Sequence, residues 1–124
     1  MILLDYKDSR PLYEQISDKL AALILCGAFE PDSKLPSVRN LAVELSINPN
    51  TIQKAYADLE RKGYVYTVKG KGNFVGSVVK LKEVKRQEIL DEIYELVKQG
   101  KELGMSSDDF VKEIKKWYQE ENND

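Results

Sequence analysis

Between Asn48 and Lys54 the chain reads Asn-Pro-Asn-Thr-Ile-Gln-Lys, so amide, hydroxyl and ammonium groups crowd into two helical turns. That is hydrogen-bonding chemistry, not bond-breaking chemistry. Side-chain amides such as those of Asn48, Asn50 and Gln53 can pair bidentately with an adenine edge, whereas Thr51 and Lys54 can serve bases or phosphates. The sequence holds no histidine, the commonest general base and metal ligand, and its single cysteine, Cys26, can close no internal disulfide. A serine-type triad, a zinc site and a cofactor loop all lack the residues they need. No enzyme activity, metal or cofactor is expected. The Gly70-Lys71-Gly72 stretch is no nucleotide cradle either, because such a loop needs wider glycine spacing and a Lys-Ser or Lys-Thr opening a helix.

These side chains need elements to hold them. Pro11 suits the first turn of a helix in which Tyr13, Ile16, Leu20, Leu23 and Ile24 recur at three- and four-residue spacing up to Gly27. Phe29 to Pro36 reads as a tight connection with a short extended piece at Lys34-Leu35. Ser37 can then cap a second helix whose inner face is Val38, Leu41, Ala42 and Leu45. After the brief turn Ser46-Ile47-Asn48, a third helix runs to about Lys62, with Asn48 as cap, Pro49 in its first position and Ile52, Ala55, Tyr56 and Leu59 facing inward. Gly63 ends it. Two short helices joined by a few residues form the helix-turn-helix pattern, and the N-terminal part of its second helix is the part that enters a major groove. Tyr64 to Val68 and Asn73 to Val75, separated by a turn, predict a β-hairpin directly after it, in the position of a wing.

Beyond residue 76 the character changes. Ile89, Leu90, Ile93, Leu96 and Val97 form a helical stripe ending near Gly100. Ser106 and Asp109 offer a capping box, with Met105 and Phe110 placed as a hydrophobic staple for a last helix carrying Phe110, Ile114, Trp117 and Tyr118. The expected fold is therefore mostly α with a small β-hairpin: a winged helix-turn-helix over 1–76, then a two-helix segment over 77–124. Glu120 to Asp124 reads as a frayed polar end.

The formal net charge of −2 lacks the basic signature of a nucleic-acid binder, but charge is segregated. Lys34 to Gly72 holds seven basic residues against three acidic ones, a local +4, while Ser77 to Asp124 holds nine against twelve. The apolar start Met1 to Leu4 is broken at Asp5, and no run approaches the length of a signal core or a membrane span. A cytoplasmic location is expected, without a membrane partner.

Four linked motifs now stand in order: Pro11-Leu12-Tyr13-Glu14-Gln15-Ile16, Leu35-Pro36-Ser37-Val38-Arg39-Asn40-Leu41-Ala42, Asn48-Pro49-Asn50-Thr51-Ile52-Gln53-Lys54-Ala55-Tyr56 and Leu59-Glu60-Arg61-Lys62-Gly63-Tyr64. Over about Arg10 to Val75 the sequence resembles the GntR family of bacterial transcription regulators, and the Asn-Pro-Asn-Thr stretch with the short tail resembles its YtrA-type branch. The resemblance implies that Arg39 reaches DNA, beside Ser37, and that the wing tip at Lys69, Gly70 and Lys71 meets a minor groove. It also implies that the tail serves dimerisation and that no separate ligand domain is present. Tail helices of this size bury little alone, and a second copy is the natural cover for Ile89, Leu90, Ile93, Leu96, Val97, Phe110, Ile114, Trp117 and Tyr118. The expected function is that of a homodimeric repressor on an inverted-repeat operator in double-stranded DNA. The alternative is a winged-helix module that binds protein. No polar constellation defines a small-molecule effector.

Overall fold

In the computed structural model, which describes residues 4–122, the chain divides into two compact units, one up to Glu83 and one from Val84. The first holds α1 (Leu12–Leu25), α2 (Val38–Leu45), α3 (Pro49–Arg61), β1 (Val65–Val68) and β2 (Gly72–Val75). Helix α4 (Val78–Glu102) begins there and runs into the second unit, which also contains α5 (Ser107–Asn122). Met1 to Leu3 at the apolar start, and Asn123 and Asp124 at the polar end, lie outside the described residues. Among the described residues no helix is long and apolar enough to cross a membrane.

The apolar spacing translates directly into a core. Ile16, Leu20 and Ile24 of α1 meet Leu41 and Ala42 of α2 and Ile52, Ala55, Tyr56 and Leu59 of α3, closed by Leu35, Tyr64, Val65, Val75 and Leu81. Local chemistry sets the helix starts. The Ser37 hydroxyl accepts the Asn40 N–H at 3.1 Å and the Asn48 side chain accepts the Asn50 N–H at 2.8 Å. Each such cap contributes about 1 kcal/mol. The turn between α2 and α3 closes through Ile47 N–H to the Ala42 carbonyl at 2.9 Å, with Ser46 left-handed at φ 55. Pro11 stands at the cap of α1, one position ahead of the expected first turn.

The hairpin is antiparallel, pairing Val65 with Val75, Tyr66 with Phe74, Thr67 with Asn73 and Val68 with Gly72. Val65 and Val75 face the core, while the Tyr66 and Phe74 rings stack on the other face at 5.7 Å. The extended piece at Lys34-Leu35 adds a third edge: Lys34 bridges Phe74, and Leu35 N–H donates to the Asn73 carbonyl at 2.8 Å. Gly72 stands at φ 127, a conformation that needs glycine, and the flexible Lys34 side chain lies across it, its Cε 2.8 Å from where a Cβ would stand.

In the second unit α4 continues past Gly100 to Glu102. Gly100 serves close packing instead of helix termination, since a Cβ there would overlap the Phe110 ring and stand 3.2 Å from the Met105 sulfur. The helix stops at Gly104 (φ 81), where Met105 N–H reaches back to the Gly100 carbonyl at 3.0 Å. The capping box forms as spaced: Ser106 N–H donates to Asp109 Oδ2 at 2.8 Å and Asp109 N–H to Ser106 Oγ at 3.2 Å.

Candidate nucleic-acid interface

The core-facing residues of α3 leave Asn50, Gln53 and Lys54 exposed and Thr51 half-buried on its N-terminal half. Gln53 and Asn50 donate and accept no side-chain hydrogen bond among the described residues, so their amides stay available. Asn48 is exposed too, but its side-chain oxygen already caps the helix. Ser37 is likewise committed to the start of α2. Arg39, two residues on, is exposed and makes no ion pair among the described residues. A guanidinium without an internal partner can address a guanine edge or a phosphate with its full fork.

Side-chain contacts between elements hold these pieces in register. The Tyr56 hydroxyl on α3 donates to the Pro36 carbonyl at 2.7 Å, which fixes the segment that launches α2 and so the base of Arg39. Burial raises this phenol to about 12, so it stays a donor at any physiological pH. On the wing side, the Thr67 hydroxyl lies 3.0 Å from the Glu60 carboxylate of α3 and 2.9 Å from Asn73. The Tyr66 hydroxyl donates to Asp32 at 2.8 Å, and that carboxylate raises the phenol above its ordinary value. The wing is thereby tied both to α3 and to the connection before α2. Its tip is a turn closed by Lys71 N–H to the Val68 carbonyl at 2.9 Å, with Gly70 at φ 78 and both Lys69 and Lys71 exposed.

A further contact involves Asp58, only 6% exposed, a residue the sequence did not mark. Its Oδ2 accepts from the Ser17 hydroxyl at 2.7 Å and pairs with Lys62 at 2.8 Å, while Oδ1 pairs with Arg61. Burial by itself pushes this carboxyl up, but Lys62, Ser17 and Arg61 together bring it below the usual carboxylate range. Arg61 and Lys62 are therefore not simply solvated helix charges. They neutralise the buried acid that, through Ser17, ties α3 to α1.

The model of the family described as bacterial regulatory proteins, gntR family, matches residues 12–75, from the first turn of α1 to the last residue of the wing. The chain belongs to the GntR family. This GntR chain is 40% identical to the HTH-type transcriptional repressor YtrA of Bacillus subtilis, over 76% of its own length and 80% of the relative's. Its fold is similar to that of a GntR family transcriptional regulator from Listeria monocytogenes, with a TM-score of 0.61 and 32% identity over 91% of this chain and 98% of that one. It is also similar to the DNA-binding domain of AraR in complex with its operator, with a TM-score of 0.53 and 32% identity over 60% of this chain and 89% of that one. The winged helix-turn-helix and the YtrA-like affinity expected of this GntR chain both stand, and its relatives are transcriptional regulators, not enzymes.

The tail residues form a separate set. Ile89, Leu90, Ile93, Leu96, Ile114, Trp117 and Tyr118 are exposed, and Val97 and Phe110 are half-buried. Several of them line an apolar groove of about 450 Å³ between α4 and α5, which includes Ile93, Leu96, Phe110, Ile114 and Trp117.

Proposed function

We propose that this GntR regulator represses transcription by binding an inverted-repeat operator as a homodimer. The observation that carries the reading is the pairing of uncommitted groups with fixed ones. Asn50, Gln53 and Arg39 are exposed without side-chain partners among the described residues, while capping and the Tyr56 hydroxyl hold the helices that bear them. Asn50, Thr51 and Gln53 would meet base edges in a major groove, Arg39 a guanine or a phosphate, and Lys69, Gly70 and Lys71 the adjacent minor groove. Ser37 and Asn48 contribute through the backbone N–H groups at the helix starts that they shape.

The exposed apolar residues of α4 and α5 support a second copy as partner, because an apolar face of this extent left to water is unfavourable. Twofold protein symmetry then asks for near-twofold DNA symmetry. A cytoplasmic dimer seated near a promoter would obstruct polymerase. That the B. subtilis relative is named a repressor agrees with this direction. Selection of bound sites from random duplexes tests the reading, with two inverted half-sites at fixed spacing as the expected outcome. Failure to enrich any duplex, or binding insensitive to salt, would favour a protein partner instead.

A further inference from the structure

A cleft of about 290 Å³ lies between α1 and α3, lined by Tyr13, Lys54, Ala57, Asp58 and Arg61. The Lys54 ammonium sits over the Tyr13 ring, 4.9 Å from its centroid. That placement turns Lys54 toward α1, and a cation held over a ring face keeps its outer hydrogens free to donate. Asn50, Lys54, Ala57 and Arg61 follow the spacing of one helix face, so the cleft continues the face that starts at Asn50. Ala57 leaves room between the two cations.

The charge balance of the cleft is positive. Asp58 has both oxygens engaged, by Arg61 on one side and by Ser17 and Lys62 on the other. On α1, Glu14 Oε1 accepts from the Tyr13 hydroxyl at 3.5 Å. Among the residues that line the cleft, Lys54 and Arg61 stand against Asp58 alone, a surplus of one positive charge. Lys54 has no carboxylate partner among the described residues, and the Arg61 guanidinium is three-quarters exposed.

We propose that this cleft seats a backbone phosphate of the DNA duplex, with Lys54 and Arg61 as its donors and Tyr13 as the residue that positions Lys54. The inference rests on duplex binding by α3 and assigns Lys54 to the backbone instead of a base edge. α1 then belongs to the interface as well as to the core.

The test measures affinity against salt concentration for a duplex recovered by selection and for a random duplex of equal length, using the full chain. Lys54→Met and Arg61→Gln should each weaken both duplexes by a similar factor, of about tenfold at moderate salt, and reduce the salt slope by about one phosphate's worth. Lys54→Arg and Tyr13→Phe should keep the slope, whereas Tyr13→Leu should fall between Lys54→Met and the unaltered protein. Thermal unfolding is followed in parallel, so that a loss of fold is not read as a loss of contact. An unchanged slope in folded Lys54→Met, or a loss confined to the selected duplex, overturns the phosphate assignment while leaving duplex binding intact. Absence of salt-dependent duplex binding by the unaltered protein overturns both.

Discussion

Among the described residues Arg39 has no side-chain partner, whereas Asp58 has three, and the two positions should respond to substitution in different assays. Arg39→Ala should weaken operator binding by about 1–3 kcal/mol, the range for a bidentate base contact, with little change in stability. Titration at fixed salt checks this, and unchanged affinity would remove Arg39 from the interface. Asp58→Asn should instead destabilise the fold by about 1–3 kcal/mol at neutral pH, read by chemical denaturation, because Lys62 and Arg61 lose their counter-charge. The sign with pH follows from the lowered carboxyl. The folded chain binds fewer protons than the unfolded one between the two values, so the Asp58 contribution is full above the ordinary carboxylate range. It is lost as pH falls through the lower native value. The gap between the unaltered protein and Asp58→Asn should close over that window, and a gap that persists in acid would show that the charge is not the cause.

At the scale of the element, α1, α3 and α4 end on left-handed Gly27, Gly63 and Gly104, but α2 ends on left-handed Ser46. A side chain in that conformation costs roughly 1 kcal/mol, partly offset in a glycine variant by a looser unfolded chain. Ser46→Gly should therefore raise stability by about 0.5 kcal/mol without altering DNA affinity, seen as a higher urea midpoint. A lower midpoint would contradict strain at this turn. The same element shows why so much of the fold was readable: Ser37, Asn48, Pro49 and Gly63 act on backbone groups within a few residues, so their meaning is local. The start of α4 was less visible because only Val78 and Leu81 of its first turns pack on the core, among Lys80, Lys82 and Glu83. The site was half legible. Exposed Asn50, Gln53 and Arg39 follow from helical phase, but Ser17 with Asp58, Tyr56 with Pro36 and Tyr13 with Lys54 span 20 to 41 residues, and no periodicity announces them.

For the whole molecule, the exposed apolar face of α4 and α5 is where the proposed dimer can be tested. Trp117, 58% exposed on the apolar groove, is the largest side chain available to a second copy. Trp117→Asp should weaken self-association by about 2 kcal/mol or more, roughly thirtyfold, and sedimentation velocity should show a shift toward monomer. Unchanged association would place the dimer contact elsewhere. DNA affinity should fall with it, since two half-sites would no longer be engaged together.

The caps at Ser37 and Asn48 carry one more consequence. Because each helix of the helix-turn-helix is capped at its start by its own side chain, both are already formed in the chain without a duplex. Calorimetrically, binding should then look like the docking of preformed bodies. Its heat-capacity change would track the surface covered, with no added increment from coil converting to helix.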